Sequence, residues 1–307
     1  MMNSEKREQP LHLDMGFEEA LERLAGVNIR EMEEPEIHGK ASPFVKWVGG
    51  KRNLINDLVA NLPNDFNDYW EPFVGGGALF FEINERINNA HLSDKNLELM
   101  IVYQAIKEDV EALIKELRVH ANKHDVDYYY KVRARHNLQD PIKIAARFLY
   151  LNKTCYRGLY RVNKKGEFNV PVGRYKNPNI VQEENLILCS RALQKATIEY
   201  KEFDSIEPQS SDFVYCDPPY HPVNGNSFTT YTKYDFIDED QIKLRDFALS
   251  LYEKGVRVML SNSNTKFIRN LYKNEPFTVK IVNAPRFINC KPSGRGNVEE
   301  VLITTYG

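Results

Sequence analysis

Tyr69-Trp70-Glu71-Pro72-Phe73-Val74-Gly75-Gly76-Gly77-Ala78-Leu79-Phe80-Phe81 passes from strand-forming residues through three glycines into an apolar, helix-forming run. A second short strand follows, Ala90-His91-Leu92-Ser93, with Asp94 at its end. The spacing from Gly75 to Asp94 is 19 residues, close to the roughly 20 that separate a glycine loop from the acid gripping a ribose in a nucleoside-binding βαβ unit. In such a unit the glycines let the backbone approach the ligand, and the acid accepts hydrogen bonds from the ribose hydroxyls. A structural turn followed by a capping aspartate has the same local pattern, so the neighbouring segments must decide.

Outward from this unit the pattern alternates between strand and helix. Helices are predicted near 54–62, over roughly 95–118, near 183–195 and over 239–254, where Leu244, Phe247, Ala248 and Leu251 share a face. Strands are predicted over 198–203, 213–216 and 256–260, with a turn at Ser261-Asn262-Ser263-Asn264. Two last strands, about 277–284 and 298–305, are close enough in sequence to pair antiparallel around a loop holding Ser293-Gly294-Arg295-Gly296. Alternating β and α with a closing β pair predicts an α/β fold with an open, mostly parallel sheet covered on both faces.

The strand Phe213-Val214-Tyr215-Cys216 runs directly into Asp217-Pro218-Pro219-Tyr220. Proline lacks the ladder N–H and keeps its predecessor out of the helical region, so the strand must stop at a stiff corner. Freed carbonyls, a fixed carboxylate and a ring face are the parts that hold a planar amino group. Taken alone, the corner does not distinguish adenine from cytosine or from a glutamine amide. By contrast Lys46-Trp47-Val48-Gly49-Gly50-Lys51 lacks the first glycine and the final Ser/Thr of a phosphate cradle.

At 307 residues, with a net charge of −2, the chain has the apolar and charged fractions of an ordinary folded protein. No apolar run approaches the roughly 20 residues of a membrane span, and the N-terminus lacks a signal-peptide core, so a cytoplasmic protein is expected. Cys155, Cys189, Cys216 and Cys290 form no CxxC pair, which argues against a zinc site or disulfide framework and predicts buried thiols. Charge is distributed unevenly. Residues 1–40 hold five basic and ten acidic side chains, whereas residues 119–185 hold thirteen basic and six acidic ones. A basic segment within an acidic chain suits a polyanion. Its second half, Tyr156 to Val170, is predicted to be a β-hairpin turning at Asn163 to Gly166, an object of a size to enter a DNA major groove. Upstream, a short helix is predicted from Asp14 to Gly26, followed by an acidic linker at 31–36.

Taken together these segments resemble the Dam-type (D12 class, alpha group) DNA adenine-N6 methyltransferases, particularly those that modify GATC and accompany restriction enzymes of that specificity. The resemblance covers about residues 43–306, with its motifs in the family's order: Lys46 to Lys51, Phe73 to Gly77, the basic hairpin, and Asp217-Pro218-Pro219-Tyr220. It implies S-adenosylmethionine as methyl donor, no metal, and a Rossmann-like, seven-stranded mixed sheet ending in an antiparallel hairpin. It also implies an inserted helical and β-hairpin target-recognition domain over 119–185, a catalytic domain over 41–118 and 186–307, and an acidic extension over 1–40 that lies outside the match. Double-stranded DNA is the implied partner, which would put the protein on the nucleoid. A cognate restriction endonuclease encoded nearby fits the resemblance, and no stable protein partner is implied.

Carried over by position, Trp47 and Lys51 would line the methionine side of the donor, Phe73, Gly75 and Gly77 its floor, and Asp94 its ribose. The pair Glu202-Phe203 aligns where the family often has Asp-Phe beside the donor's adenine ring, with Asp204 a competing acid. Asp217 and the Pro218 carbonyl would accept from the target amino group, Pro219 would complete the corner, and Tyr220 would stack on a flipped adenine. Lys46, Tyr156, Leu159, Arg161, Pro171, Tyr175 and Arg295 match DNA-contacting positions: Tyr156 as an intercalating ring, Leu159 against a thymine methyl, Arg161 on guanine and Arg295 on a phosphate. Arg157 falls at a further DNA-contacting position, where a subgroup of the family carries asparagine, so a different inner-base contact is expected there.

Overall fold

The computed structural model describes residues 37–223, 236–285 and 297–307. The helix predicted from Asp14 to Gly26, the linker at 31–36, Cys290 and the loop with Arg295 lie outside the described residues.

Seven strands form one sheet: β1 (Tyr69–Glu71), β2 (Ala90–Asp94), β3 (Ala196–Tyr200), β4 (Phe213–Cys216), β5 (Arg257–Ser263), β6 (Thr278–Pro285) and β7 (Asn297–Thr304). Their order is β3-β2-β1-β4-β5-β7-β6. The first five run parallel, and β7 pairs antiparallel with both β5 and β6. The mixed seven-stranded α/β sheet with a terminal antiparallel pair is therefore the fold expected from sequence. A parallel strand between covered faces must be apolar on both sides, and all four residues of β4 are buried. Phe213 and Tyr215 join one apolar cluster and Val214 and Cys216 the other, as alternation along a strand requires.

One apolar cluster, which takes in the first face of the sheet, receives residues from α1 (Ile55–Ala60), α2 (Ala78–Ile83), α3 (Leu97–Glu108), α4 (Val110–Asn122), α5 (Val126–Arg133), α6 (Pro141–Thr154) and α7 (Glu183–Leu193). The second face is covered by α8 (Asp238–Glu253) and α9 (Lys266–Leu271). The helical run predicted over 95–118 is two helices because Asp109 caps the second, its Oδ1 accepting from the Ala112 N–H at 3.0 Å. Asp140 caps α6 in the same way, with Pro141 at the first helical position.

Two strand boundaries differ from those read in the sequence. The strand predicted over 198–203 ends at Tyr200, and Phe203–Ser205 is a 3₁₀ turn. Ser261, Asn262 and Ser263 are not a turn but the end of β5, paired with Leu302, Val301 and Glu300 of β7. Serine and asparagine favour turns in isolation; here a pairing strand outweighs that preference. The hairpin at 156–170 is present but forms isolated bridges rather than two continuous strands. Its arms are interrupted by a 3₁₀ turn at Tyr156–Gly158, with one antiparallel bridge near the tip, Val162 to Phe168, and another at the base, Cys155 to Val172.

Candidate active site

β1 lies between β2 and β4, so the crossover direction of the parallel strands reverses between β1 and β4. Ligands of open α/β sheets bind beyond the carboxyl ends of strands at such a reversal. Two acid-proline pairs leave the sheet there, Glu71-Pro72 after β1 and Asp217-Pro218 after β4.

Asp217 is held on one oxygen by two donors. Lys51 Nζ lies 2.7 Å from its Oδ1, and Ser261 Oγ donates to the same atom at 2.9 Å. Because Ser261 spends its single proton on the carboxylate, Tyr215, whose hydroxyl lies 3.0 Å from Ser261 Oγ, must donate to it. The chain Tyr215 to Ser261 to Asp217 polarises toward the acid. Burial raises the Asp217 carboxyl above its ordinary value, while the Lys51 ammonium and the Ser261 hydroxyl pull it down. Lys51 also donates to the Gly49 carbonyl at 2.6 Å and sits 4.5 Å from the centre of the Tyr220 ring. Sequence reasoning did not join Lys51 to Asp217.

The residues after Asp217 are pinned on both sides. Gln241, wholly buried on α8, donates to the Pro219 carbonyl at 3.0 Å and accepts from Asn262 Nδ2 at 3.0 Å. Asn262 Oδ1 accepts from the His221 N–H at 3.0 Å, and Ser263 Oγ donates to the His221 carbonyl. Tyr220 is fixed at its far end, its hydroxyl donating to Glu300 at 2.7 Å. The end of β5 thus grips the corner at the acid, at one N–H and at one carbonyl. Asp217 is anchored through one oxygen and Tyr220 through its hydroxyl.

Opposite this corner stands the glycine loop. Gly75 and Gly77 have φ of 47° and 66°, and a Cβ on Gly75 would meet Trp47 Cδ1 at 2.6 Å, so only glycine fits. Buried Tyr103 donates to the Gly75 carbonyl at 3.0 Å. Asp94 accepts from the Gly75 N–H at 3.1 Å on one oxygen and from the Asn96 N–H at 2.9 Å on the other. Each oxygen keeps a second lone pair for a ligand hydroxyl. Burial lifts this carboxyl to about 6 against the pull of those two N–H groups. Phe73 stacks on Phe203 with centroids 5.3 Å apart. Glu202 is exposed and electrostatically coupled to Asp94, whereas Asp204 is taken by Lys243 at 2.7 Å.

Glu71 is a site residue that the sequence analysis passed over. It is buried, accepts from the Tyr69 hydroxyl at 2.8 Å, and is pushed up to about 8, first by burial and then by the charge of Asp217, against the pull of Tyr69 and Lys51. The signal was available in the sequence as an acid ending an apolar strand just before proline and the glycines.

Trp47 links the hairpin side to the glycine loop. Trp47 stacks with Phe148 and Tyr160 at 6.4 and 5.7 Å between centroids. Buried Asn152 accepts from the Lys46 N–H at 2.8 Å and donates to the Lys46 carbonyl at 2.9 Å and the Gly158 carbonyl at 3.2 Å. Lys46 lies along Gly158 and places Nζ 4.2 Å from the centre of the Tyr175 ring. Tyr156 donates its N–H to the Pro171 carbonyl at 2.8 Å, and Arg157 lies 5.2 Å from the Tyr156 ring centre. Lys46, Tyr156, Arg157, Arg161, Pro171 and Tyr175 are all exposed, while Leu159 is half-buried against the core. Cys155, Cys189 and Cys216 are buried thiols, as expected. Among the described residues no helix is long and apolar enough to cross a membrane.

Comparison with known proteins agrees with this geometry. Residues 47–287 match the family model of the D12 class N6 adenine-specific DNA methyltransferases. The chain is 44% identical to the type II methyltransferase M.MjaIII of Methanocaldococcus jannaschii, over 87% of this chain and all of that one. It is 34% identical to the DNA adenine methylase of Haemophilus influenzae, over 87% of this chain and 94% of that one. The DNA adenine methylase of Escherichia coli is also 34% identical, over 86% of this chain and 95% of that one. The nucleoside-type glycine loop, the acceptor corner and these matches together place the chain in the D12 class of S-adenosylmethionine-dependent, N6 adenine-specific DNA methyltransferases.

Proposed function

We propose that this protein methylates the N6 atom of an adenine flipped out of double-stranded DNA, within the sequence GATC, and that the residues around Asp217 and the 156–175 segment carry the two halves of that task. The observation that carries the proposal is the two-donor anchoring of Asp217 Oδ1 by Lys51 and Ser261 beside a fixed tyrosine ring. An amino group inside a duplex is out of reach, so the base must leave the stack at a cost of a few kcal/mol. In the proposal Tyr220 stacks on the displaced ring, while the Asp217 carboxylate and the Pro218 carbonyl accept its two amino protons. Both acceptors draw N6 toward tetrahedral geometry and aim its lone pair, and they stabilise the positive charge that develops on it.

S-adenosylmethionine supplies an electrophilic methyl on a sulfonium. Gly75 and Gly77 would let its backbone neighbours approach, Asp94 would take ribose hydroxyls, Phe73, Glu202 and Phe203 would border the adenine ring, and Trp47 and Lys51 the amino-acid end. The residues fit such a group, since a side chain at Gly75 would fill the space beside Trp47. On the DNA side, Tyr156 would enter the gap left by the flipped base, Leu159 and Pro171 would meet base methyls, and Arg161 would read guanine. Lys46 and Tyr175 would complete the edge of the site, and Arg295 would meet a phosphate. The segment 119–185 would act as the target-recognition domain and 41–118 with 186–307 as the catalytic domain. The relative M.MjaIII is named a type II methyltransferase, which supports a nearby restriction endonuclease as the cognate partner.

Mapping methylated adenines in DNA from cells expressing the protein tests the assignment of GATC; signal confined to another motif would overturn it. Asp217→Ala is expected to abolish transfer of tritiated methyl to duplex DNA with DNA binding retained. Turnover by that variant would sink the role given to Asp217.

A further inference from the structure

We infer that Asn169 is a specificity-positioning residue: it holds the guanidinium of Arg161 so that only the terminal Nη1/Nη2 fork meets the base. The inference rests on the proposal that Arg161 reads guanine and names the device that aims it.

The hairpin register brings the two residues together. Val162 and Phe168 form the antiparallel bridge, flanked by the bonds Asn163 N–H to Glu167 carbonyl at 2.9 Å and Asn169 N–H to Arg161 carbonyl at 3.1 Å. Arg161 and Asn169 are therefore directly opposed, as are Asn163 and Glu167. Strand alternation puts all four on the face opposite Val162 and Phe168. Phe168 is buried against the core, so that opposite face is the outward one, and Arg161 is exposed on it.

Directly opposed side chains touch, and here Asn169 Oδ1 accepts from Arg161 Nε at 2.7 Å. A guanidinium offers five N–H groups in a rigid plane. Engaging Nε fixes that plane and excludes the Nε/Nη2 edge from binding, leaving the end-on fork that matches the O6 and N7 acceptors of guanine. Fixing the plane beforehand also removes part of the ordering cost of binding.

The nearest acid on the same face is kept away. Glu167 lies diagonally across from Arg161 but is bonded to Asn163 Nδ2 at 2.8 Å, and Asn163 Oδ1 in turn accepts from the Lys165 and Glu167 N–H groups at 2.9 and 3.0 Å. This contact holds the Glu167 carboxyl below its ordinary value, so the acid is ionised and occupied. A carboxylate opposite Arg161 would neutralise the charge that a base acceptor and the phosphates attract. An amide aims the guanidinium and leaves its charge intact.

The test compares Arg161→Ala, Asn169→Ala and Asn169→Asp by methylation rate on the parent duplex and on duplexes carrying each single base-pair change. Arg161→Ala first identifies the base pair that Arg161 reads. At that pair Asn169→Ala is expected to lose about threefold to tenfold in discrimination, the worth of one hydrogen bond, with other positions unchanged and no further loss in the Arg161→Ala background. Asn169→Asp is expected to keep discrimination but to bind DNA more weakly at low salt, with a shallower fall of affinity as salt rises. The inference fails if Arg161→Ala relaxes one base pair while Asn169→Ala leaves it intact or weakens all positions equally. It fails also if Asn169→Asp loses as much discrimination as Asn169→Ala. If Arg161→Ala relaxes no position, the underlying assignment of Arg161 to a base is what falls.

Discussion

Removing one oxygen at Ser261 tests whether Asp217 works as an ionised acceptor. Ser261→Ala deletes the donor 2.9 Å from Asp217 Oδ1 and leaves Lys51 in place at 2.7 Å on the same atom. A hydrogen bond to a charged group contributes about 1.5–3 kcal/mol. Because Lys51 still anchors the carboxylate, the lower end of that range applies, which corresponds to about a tenfold fall in kcat. The residues assigned to DNA in the proposed function are untouched, so KM for DNA should hold.

The pH profile carries the sharper expectation. Ser261 and Lys51 both favour the ionised form of Asp217, against burial, which favours the protonated one. An acceptor is lost as pH falls through its pKa, so the acid limb of kcat marks that ionisation. Deleting Ser261 Oγ removes a group that lowers the pKa, and the limb should move to higher pH. Tyr215→Phe is the control. It takes away the hydroxyl 3.0 Å from Ser261 Oγ but leaves the serine free to donate to the acid. That variant should lose about 1 kcal/mol of stability in urea unfolding with the limb nearly still. Single-turnover methyl transfer across the acid and neutral range reads both variants. A limb that stays put or moves downward in Ser261→Ala refutes the carboxylate's role as acceptor.

Other expectations concern neighbouring residues. Glu71, about 8 when folded against an ordinary value of 4.5, binds a proton in the native state that the unfolded chain has released, so its contribution is fully present below about 4.5 and lost as pH rises through about 8. Glu71→Gln mimics the protonated form and should flatten that alkaline loss, on the order of a few kcal/mol, in urea titrations; an unchanged slope would show Glu71 to be ionised throughout. Gly75→Ala puts a methyl 2.6 Å from Trp47 at a φ of 47°, and calorimetry should find donor affinity down about tenfold or more while DNA binding persists. Arg157 holds a φ of 57°, a left-handed conformation that asparagine adopts more readily; Arg157→Asn should raise stability by about 0.5–1 kcal/mol, and a loss would mean that the arginine's contacts outweigh the strain.

What could be read from the sequence was local. The glycine loop, the acid at the end of β2 and the proline-stopped strand are contiguous patterns, and each lies in the structure where its residue types demanded. The supports of the corner were illegible because they are distant in the chain and polar in kind. Ser261 reaches Asp217 across 44 residues, Gln241 reaches Pro219 across 22, and Asn152 reaches Lys46 across 106. Propensity even pointed the wrong way at Ser261-Asn262-Ser263, since nothing local reveals that β7 will pair with them or that Asp217 will stand beside them. Hairpin pairs such as Arg161 and Asn169 follow from the turn register alone, but the register does not say that their side chains bond, as those of Asn163 and Glu167 also do.

The six residues Lys46 to Lys51 show how these distant supports become one device. Lys46 lies on Gly158 and beside Tyr175, Trp47 covers Gly75, and Lys51 grips Asp217. Asn152 clamps the start of this segment to the base of the hairpin through three hydrogen bonds from a wholly backbone set of partners. If the hairpin moves when it meets DNA, as the proposed function implies, it cannot leave Lys46 behind without breaking bonds of the buried Asn152 side chain, each of which costs about 1–3 kcal/mol when left unmade. Such a shift would be passed along the segment to the glycine loop and to the cation on the catalytic acid. On the proposed function, the segment that fails as a phosphate cradle would therefore tie the hairpin's hold on DNA to the glycine loop and to Asp217.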